Sequence, residues 1–509
     1  MVASAAGQGT AFAGRPQRKP NLRGGRFAEG VISGDPTPKG ITLWTRVSDV
    51  EGAGTVELEV ARDRGFRKVV ARELVKTSGR IDHSVKARVG GLRPHEQYYY
   101  RFSTRGENSP VGRFRTALPP DSRQPVRFAF FSCQDYTFGY FNAHNLLAEE
   151  DIDFVVNLGD YIYAEAYYQP GDAFAGVRVD PVSYAETLEQ YRAKYKLYRT
   201  EASLRRVHAQ FPMISIWDDH EVQDNYSGAA GPTGGLPPEL RYTQQRKAAG
   251  YRAYFESMPT YPVGSGKDRI YTALRFGRTV DLLLLDQRQY RADQPCGDEQ
   301  LGPPCADLEQ PRNFLGARQL GFVKKRLASS PAAWKVIANQ VMIMPTLYPG
   351  GDYIGFDSWQ GYPLERRDLL QHIRRRKIKD VVFVTGDIHT FIAGDVRVNN
   401  SDTVPVATEF VGGSITSPGL GEGGGGVLPG ANPLNPQTPE SIIDLLRSTN
   451  PWAADADFDH HGYGLVTATE KGLTCTLRRV ETVKRRSRTA LPNQRFTYRI
   501  TRGRPSLLD

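Results

Sequence analysis

Four apolar runs in this chain stop abruptly at residues that can hold metal ions: FAFFSCQD, FVVNLGDYIY, MISIWDDHE and VVFVTGDIH. Short continuous apolar runs bounded by turn signals are the pattern of buried strands. In open α/β sheets the carboxyl ends of such strands converge on one crevice, so side chains placed there from distant parts of the chain become neighbours. On that logic Cys133, Asp160, Tyr163, Asp219, Asp387 and His389 are expected to share one site. Taken singly, each motif has an ordinary reading. A Gly-Asp after a strand is a turn, Asp-Asp-His is a helix cap or surface cluster, and a cysteine after a strand is a small buried hydrophobe. All four at strand ends in one chain point instead to a shared function. Carboxylates, imidazole, thiolate and phenolate together suit hard or borderline cations, and two cations about 3.5–4 Å apart clamp both oxygens of a phosphoryl transfer.

At 509 residues the chain is too long for one ordinary domain. From Phe27 to about Thr116 short β-branched or aromatic runs alternate with turn signals, with strands expected at Ile41 to Val47, Thr55 to Ala61, Ser84 to Val89 and Tyr98 to Ser103. This predicts an all-β sandwich over residues 26–117, preceded by a tail over 1–25. In GLRPHEQYYYRF, the arrangement of Leu92, Pro94 and Tyr98 resembles a fibronectin type III corner, where a tyrosine pins a strand to the preceding turn. A Pro-rich linker is expected over 118–125, and from 126 to 509 strands alternate with helical patterns, as in an α/β layered domain. Strands are expected at Val126 to Ser132, Phe154 to Leu158, Met213 to Trp217, Val280 to Leu285, Lys335 to Ala338 and Asp380 to Thr385. Helical patterns cover Phe141 to Glu150, Tyr184 to His208, Glu239 to Glu256, Ala317 to Leu327 and Leu364 to Arg375. The Gly/Pro-rich stretches Gly228 to Pro238 and Gly421 to Pro439 read as rims or covers of the site.

A formal charge of +10 favours anionic material: phosphate esters, lipid headgroups, teichoic acids or nucleic acid. The runs Arg374 to Lys379 and Lys484 to Arg488 read as solvated faces rather than patches for a stable nucleic-acid complex. No apolar run approaches the roughly eighteen residues that cross a bilayer. Cys296 and Cys305, in a Pro/Gly-rich loop, suit a loop-closing disulfide in an oxidising compartment, and Cys475 reads as buried and inert. Met1 to Gly25 lacks the apolar stretch of a signal peptide, so either an export signal has been trimmed from this sequence or the protein stays inside the cell, and the expected disulfide favours trimming.

FAEGVISGDPTPKGITLWTRV, FSCQD, GDYIY, IWDDHEVQDN and VTGDIH, with DQRQYRADQPCG and WKVIANQVM between them, resemble the motifs of PhoD-type alkaline phosphatases, within the calcineurin-like metallophosphoesterase superfamily. The resemblance covers nearly the whole chain. It implies a fold of two mixed β-sheets packed together and flanked by helices, behind the small sandwich. It also implies that Asp160 bridges two metals. Cys133, Tyr163 and His389 would complete a ferric site, and Asp219 and Asp387 would serve a calcium site. Asp219 stands where commoner superfamily members have asparagine, Asp387 where they have histidine, and Cys133 where they have aspartate. The resemblance further implies attack by a hydroxide on a metal, with no covalent enzyme intermediate. His220 would stabilise the transferring phosphoryl group or protonate the leaving oxygen. The expected activity is secreted hydrolysis of phosphomonoesters and phosphodiesters by a monomer of the cell envelope or exterior. Phospholipase D chemistry on lipid headgroups is the alternative, and a non-catalytic polyanion-binding module is a third reading.

Other residues stay open at this level. Arg288 and Tyr290 face substrate, or Arg288 pairs with Asp286 or Asp293. His460 and His461 line the pocket or occupy an ordinary loop, and Asn225 and Asn339 are candidates to support the metal ligands.

Overall fold

The computed structural model describes residues 19–168, 170–171, 176–228, 242–299, 301–348, 350–422 and 447–508. The two Gly/Pro-rich stretches expected to rim the site fall largely outside them, from 229 to 241 and from 423 to 446. Seven strands form the N-terminal sandwich. One sheet runs Val31–Thr37, Gly40–Arg46, Ser84–Val89, and the other Val69–Ser78, Ala53–Ala61, Gln97–Ser103, Gly112–Arg115. Alternation decides the faces: in Gln97–Ser103 every second side chain is buried, so Tyr98, Tyr100 and Phe102 enter the core. Tyr98 makes the expected corner, its hydroxyl accepting from the Arg93 amide at 2.9 Å.

Three sandwich strands are not evident in the sequence. Val31–Thr37 contains Gly34, Asp35 and Pro36, a turn-like composition. Val69–Ser78 buries only Thr77 and is interrupted by the charges of Arg72, Glu73 and Lys76. Gly112–Arg115 is only four residues long. Leu22, within the segment expected to be a tail, is buried in the sandwich core; its amide donates to Thr55 O at 3.3 Å and its carbonyl accepts from Arg105 at 2.7 Å. At the start of the Pro-rich stretch after the sandwich, Leu118 is buried in the main core beside Ala117, while Pro120, Asp121 and the residues from Arg123 to Pro125 are exposed.

The remaining chain builds two mixed sheets, in the order Met213–Ser215, Phe154–Asn157, Val126–Phe131, His461–Ala468, Gly472–Val480, Thr497–Thr501 and in the order Thr272–Phe276, Val280–Leu284, Trp334–Asn339, Val381–Thr385, Ala407–Gly412, Phe391–Val396, Ala453–Asp457. The first three strands of the six-stranded sheet run parallel, as do Val280–Leu284, Trp334–Asn339, Val381–Thr385 and Ala407–Gly412 in the other. These parallel strands are buried on both faces, which is why VRFAFF, FVVN and VVFVT read as continuous apolar runs. One core joins residues of both sheets, including Phe128, Val155, Leu282, Val336 and Val384.

Helices flank the sheets. Leu188–Tyr198 begins with a capping box between Thr187 and Gln190, and Ala202–Gln210 comes next, so the expected Tyr184 to His208 helical region is two helices. Gln244–Ser257, Gly316–Ser329 and Pro363–Arg375 are the other long helices among the described residues. The sandwich is fastened to this layer by Trp44, buried, whose indole donates to Glu256 O at 2.7 Å and whose ring lies 4.4 Å from the Arg199 guanidinium. No helix among the described residues is long and apolar enough to cross a membrane.

Candidate metal centre

Each of the six expected side chains sits just past the carboxyl end of a parallel strand, and the turns that carry them are sharp. Cys133, Asp160, Asp387 and His389 have φ of 57°, 52°, 68° and 56°. Non-glycine residues adopt this left-handed conformation at a cost of about 1–2 kcal/mol, a strain that clusters at functional sites. Gly159, at φ 117°, allows the tightest approach: a Cβ there would lie 2.3 Å from the Asp218 Cβ.

The structure brings the six together. Asp160 Oδ2 lies 3.4 Å from Cys133 Sγ and 3.4 Å from Tyr163 Oη, and Tyr163 Oη lies 3.1 Å from His389 Nε2. The other oxygen of Asp160 accepts from the His220 amide at 3.3 Å. At this site three groups each offer donor atoms within 4.8 Å of one another: Cys133, Asp160 and His389; Asp160, Asp219 and His220; and Asp218, Asp219 and Asp387. Asp160 and Asp219 each belong to two of these groups. A cleft of about 390 Å³ opens over them, lined by Asp219, His220, Asp387 and His389 and also by Tyr167, Asp224 and Phe356.

The electrostatics favour cations. Burial, then the charges of Asp160, Asp387 and Asp218, push the Cys133 thiol well above its usual range; burial and Asp160 do the same to the Tyr163 phenol. Asp160 and Asp387 are likewise held far above the carboxylate range, chiefly by burial and then by neighbouring carboxylates. His389 falls to about 4, from burial first and then the positive His220. Acidic donors crowded against one another, beside an imidazole kept neutral, are a donor set that a multivalent cation would deprotonate and bind. The residues therefore fit the metals that this class of site implies.

His220 is tied down on one side. Its Nδ1 faces Glu165 Oε2 at 2.9 Å, which leaves Nε2 turned toward Asp219 and Asp224, both at 3.9 Å, and the Tyr163 ring stacks on the imidazole at 4.0 Å. Burial opposes the charged form, yet Asp219, Asp160 and Glu165 together hold its pKa well above 6.5. Glu165 also accepts from Arg246 at 3.2 Å and from the Asp224 amide at 3.2 Å. Two residues past Tyr163, it carries no ligand signature in the sequence.

Arg288 corrects the sequence-based pairing. Its guanidinium, fully buried, contacts Asp218, Asp219 at 3.2 Å, Asp357 at 2.7 Å and Asp387 at 3.3 Å, not Asp293, and Asp286 meets only its backbone amide. Burial pulls hardest against the charged carboxylate of Asp219, but Arg288, His220, the Asn225 amide and Arg291 together outweigh it and hold that group below its usual range. Tyr290 packs edge-on against Tyr271. Asn225 reaches a ligand position through its backbone N–H, which donates to Asp219 Oδ2 at 2.7 Å, whereas the Asn339 side chain bonds to Gln287, Thr385 and Trp359. His460 pairs with Asp457, and His461 sits between Ser414 at 2.9 Å and Glu422 at 3.0 Å. Cys296 and Cys305 are disulfide-bonded, Cys475 is a buried thiol, and Arg485, Arg486 and Arg488 are ion-paired to Glu481, Glu201 and Glu149.

A family model described as PhoD-like phosphatase matches residues 128–477, and one described as PhoD-like phosphatase, N-terminal domain, matches residues 13–118. Alkaline phosphatase D of Bacillus subtilis (strain 168) is 36% identical over 418 residues, 79% of this chain and 71% of that protein. A solved structure of PhoD superposes with a TM-score of 0.84 at 32% identity, covering 96% of this chain and 92% of that one. The purple acid phosphatase PPD1 of yellow lupin shares the fold, with a TM-score of 0.55 at 16% identity over 94% of this chain and 75% of that one. The two β-sheets, the strand-end donors and these matches together assign the chain to the PhoD-like phosphatase family, as a metal-dependent hydrolase of phosphoric esters.

Proposed function

We propose that this enzyme hydrolyses phosphomonoesters and phosphodiesters outside the cytoplasm, using two metal positions that share Asp160. The observation that carries the reading is the division of labour at that carboxylate, with Oδ2 toward Cys133 and Tyr163 and Oδ1 toward the loop of Asp219 and His220. Cys133, Tyr163 and His389 would hold ferric iron, since a thiolate and a phenolate are the charged, strongly donating ligands that keep a trivalent ion oxidised. Asp219 and Asp387 would hold calcium, a hard cation that favours carboxylate oxygens. When bound, such cations supply Lewis acidity toward the phosphoryl oxygens and an acidified water as nucleophile.

The protein groups do the rest. His220, kept cationic by its carboxylate neighbours, faces the cleft with Nε2 and would offset the developing charge or protonate the leaving oxygen. Glu165 holds the imidazole in that orientation. Export is supported by the Cys296–Cys305 bond, which suits an oxidising compartment. We expect a monomer that forms no stable nucleic-acid complex.

Phospholipase D chemistry on lipid headgroups uses the same donors and remains the competing reading; teichoic acid is a further anionic substrate class. Among the described residues the apolar cleft residues Met342, Phe356 and Leu420 are buried and Ile354 and Ile388 are half-buried, so none forms an exposed apolar collar, which favours small soluble esters. Turnover of p-nitrophenyl phosphate, its bis-ester and phosphatidylcholine in one preparation tests this. Hydrolysis of the two soluble esters well above phosphatidylcholine supports the proposal, and the reverse order replaces it with the lipase.

A further inference from the structure

We propose that Ser417 is a positioning residue that hydrogen-bonds the ionised phenol of Tyr163 and weakens its donation to the metal, on a strap that orients three of the first-site ligands. The inference rests on the iron roles proposed above for Cys133, Tyr163 and His389. Residues 413–418 continue from the strand Ala407–Gly412 and turn back across the strand ends. The Ser417 hydroxyl lies 2.6 Å from Tyr163 Oη. The Pro418 carbonyl faces His389 Nδ1 at 3.0 Å, so Nδ1 carries the hydrogen and Nε2 is free to bind a cation. The amides of Thr416 and Ser417 both donate to Cys133 O, at 3.3 and 3.2 Å.

The strap is itself anchored away from the site. The Ile415 amide donates to Ser132 O at 3.1 Å, Thr416 Oγ1 donates to Asp135 O at 2.6 Å, and the Gly462 amide donates to Ser414 O at 2.8 Å. Ser414 Oγ meets His461 Nδ1 at 2.9 Å, which ties the first residue of the strand His461–Ala468 to the strap, and His461 Nε2 lies 3.0 Å from Glu422.

The Ser417 hydroxyl has one proton and two acceptors, Tyr163 Oη at 2.6 Å and Cys133 O at 2.9 Å, and its own oxygen accepts from the Asp135 amide at 3.2 Å. Hydrogen bonds to an ionised acceptor are shorter and roughly twice as strong as neutral ones, so once Tyr163 is a phenolate the proton goes to Oη. That bond stabilises the phenolate lone pairs. Charge transfer from the phenolate to ferric iron then needs more energy than it would without Ser417.

The test is the visible and resonance Raman spectrum of iron-loaded full-length protein. In Ser417→Ala the tyrosinate band is expected at longer wavelength than in wild type. Ser417→Thr, which keeps the hydroxyl, is expected to return it toward the wild-type position. In wild type, transfer to D2O is expected to shift the phenolate C–O stretch, a reading that does not depend on any variant folding. A coloured protein whose tyrosinate band is the same in wild type and Ser417→Ala, or whose C–O stretch ignores deuterium, overturns this inference alone. A colourless wild type overturns the iron reading and this inference with it.

Discussion

Replacing Arg288 with methionine removes the guanidinium that contacts Asp218, Asp219, Asp357 and Asp387, leaving Arg291 on Asp357 alone, while nearly keeping the side-chain volume. The arginine is fully buried, so water cannot take over its role. Breaking a buried ion pair from one side costs about 3–5 kcal/mol, because the partner charge is left unpaired. At ~2 °C per kcal/mol for a large domain this corresponds to a fall in Tm of roughly 6–10 °C. The sign with pH is set by Asp219, whose folded-state pKa lies below its ordinary value of 3.8. Its stabilisation is present above that value and lost as pH falls, so the gap between wild type and Arg288→Met narrows in acid. Thermal unfolding monitored by circular dichroism in a chelator at pH 7.5 reads the effect at one scan rate. Added calcium is expected to raise the variant's Tm more than that of wild type, since a divalent cation can replace the lost charge. A chelated variant within about 1 °C of wild type would refute the argument that the guanidinium compensates these carboxylates.

Glu165→Gln removes a carboxylate that raises the His220 pKa, so the alkaline limb of kcat/KM is expected to move to lower pH, with kcat down about 10²-fold; an unmoved limb contradicts the assignment. His460 is raised above 6.5 first by its hydrogen bond to Asp457, so its contribution is full below that value and disappears as pH rises through the raised one. His460→Gln is therefore expected to lower Tm more at pH 5.5 than at pH 9, as scanning fluorimetry would show. Trp44→Ala opens a cavity where the sandwich meets the catalytic layer and loses the bond to Glu256 O, for a destabilisation of about 3–5 kcal/mol. Limited proteolysis should then release the sandwich faster than in wild type.

Much of the architecture is legible because buried parallel strands leave a simple trace: an apolar run such as VRFAFF or VVFVT can only be covered on both faces, and the chain must turn where the run ends. That is why Cys133, Asp160, Asp219 and Asp387 stand out. Val69–Ser78 does not, because an exposed edge strand carries charges on both faces, and Leu22 does not, because one leucine in a polar tail has no period. Arg288 is visible as a residue but its partners are not, since four aspartates from three separate turns and loops meet it only after the sheets have packed. Ser417, Pro418 and Glu165 act through small or backbone groups, and nothing in ITSPG or YAEA distinguishes them from ordinary loop residues.

The most direct test is anomalous X-ray scattering from crystals of protein purified without chelators, measured on both sides of the iron absorption edge. The account predicts an iron peak bonded to Cys133 Sγ, Tyr163 Oη, Asp160 and His389 Nε2, with a second, lighter cation against Asp219 and Asp387. Full phosphatase activity in crystals or solution with no iron peak among those side chains would contradict it.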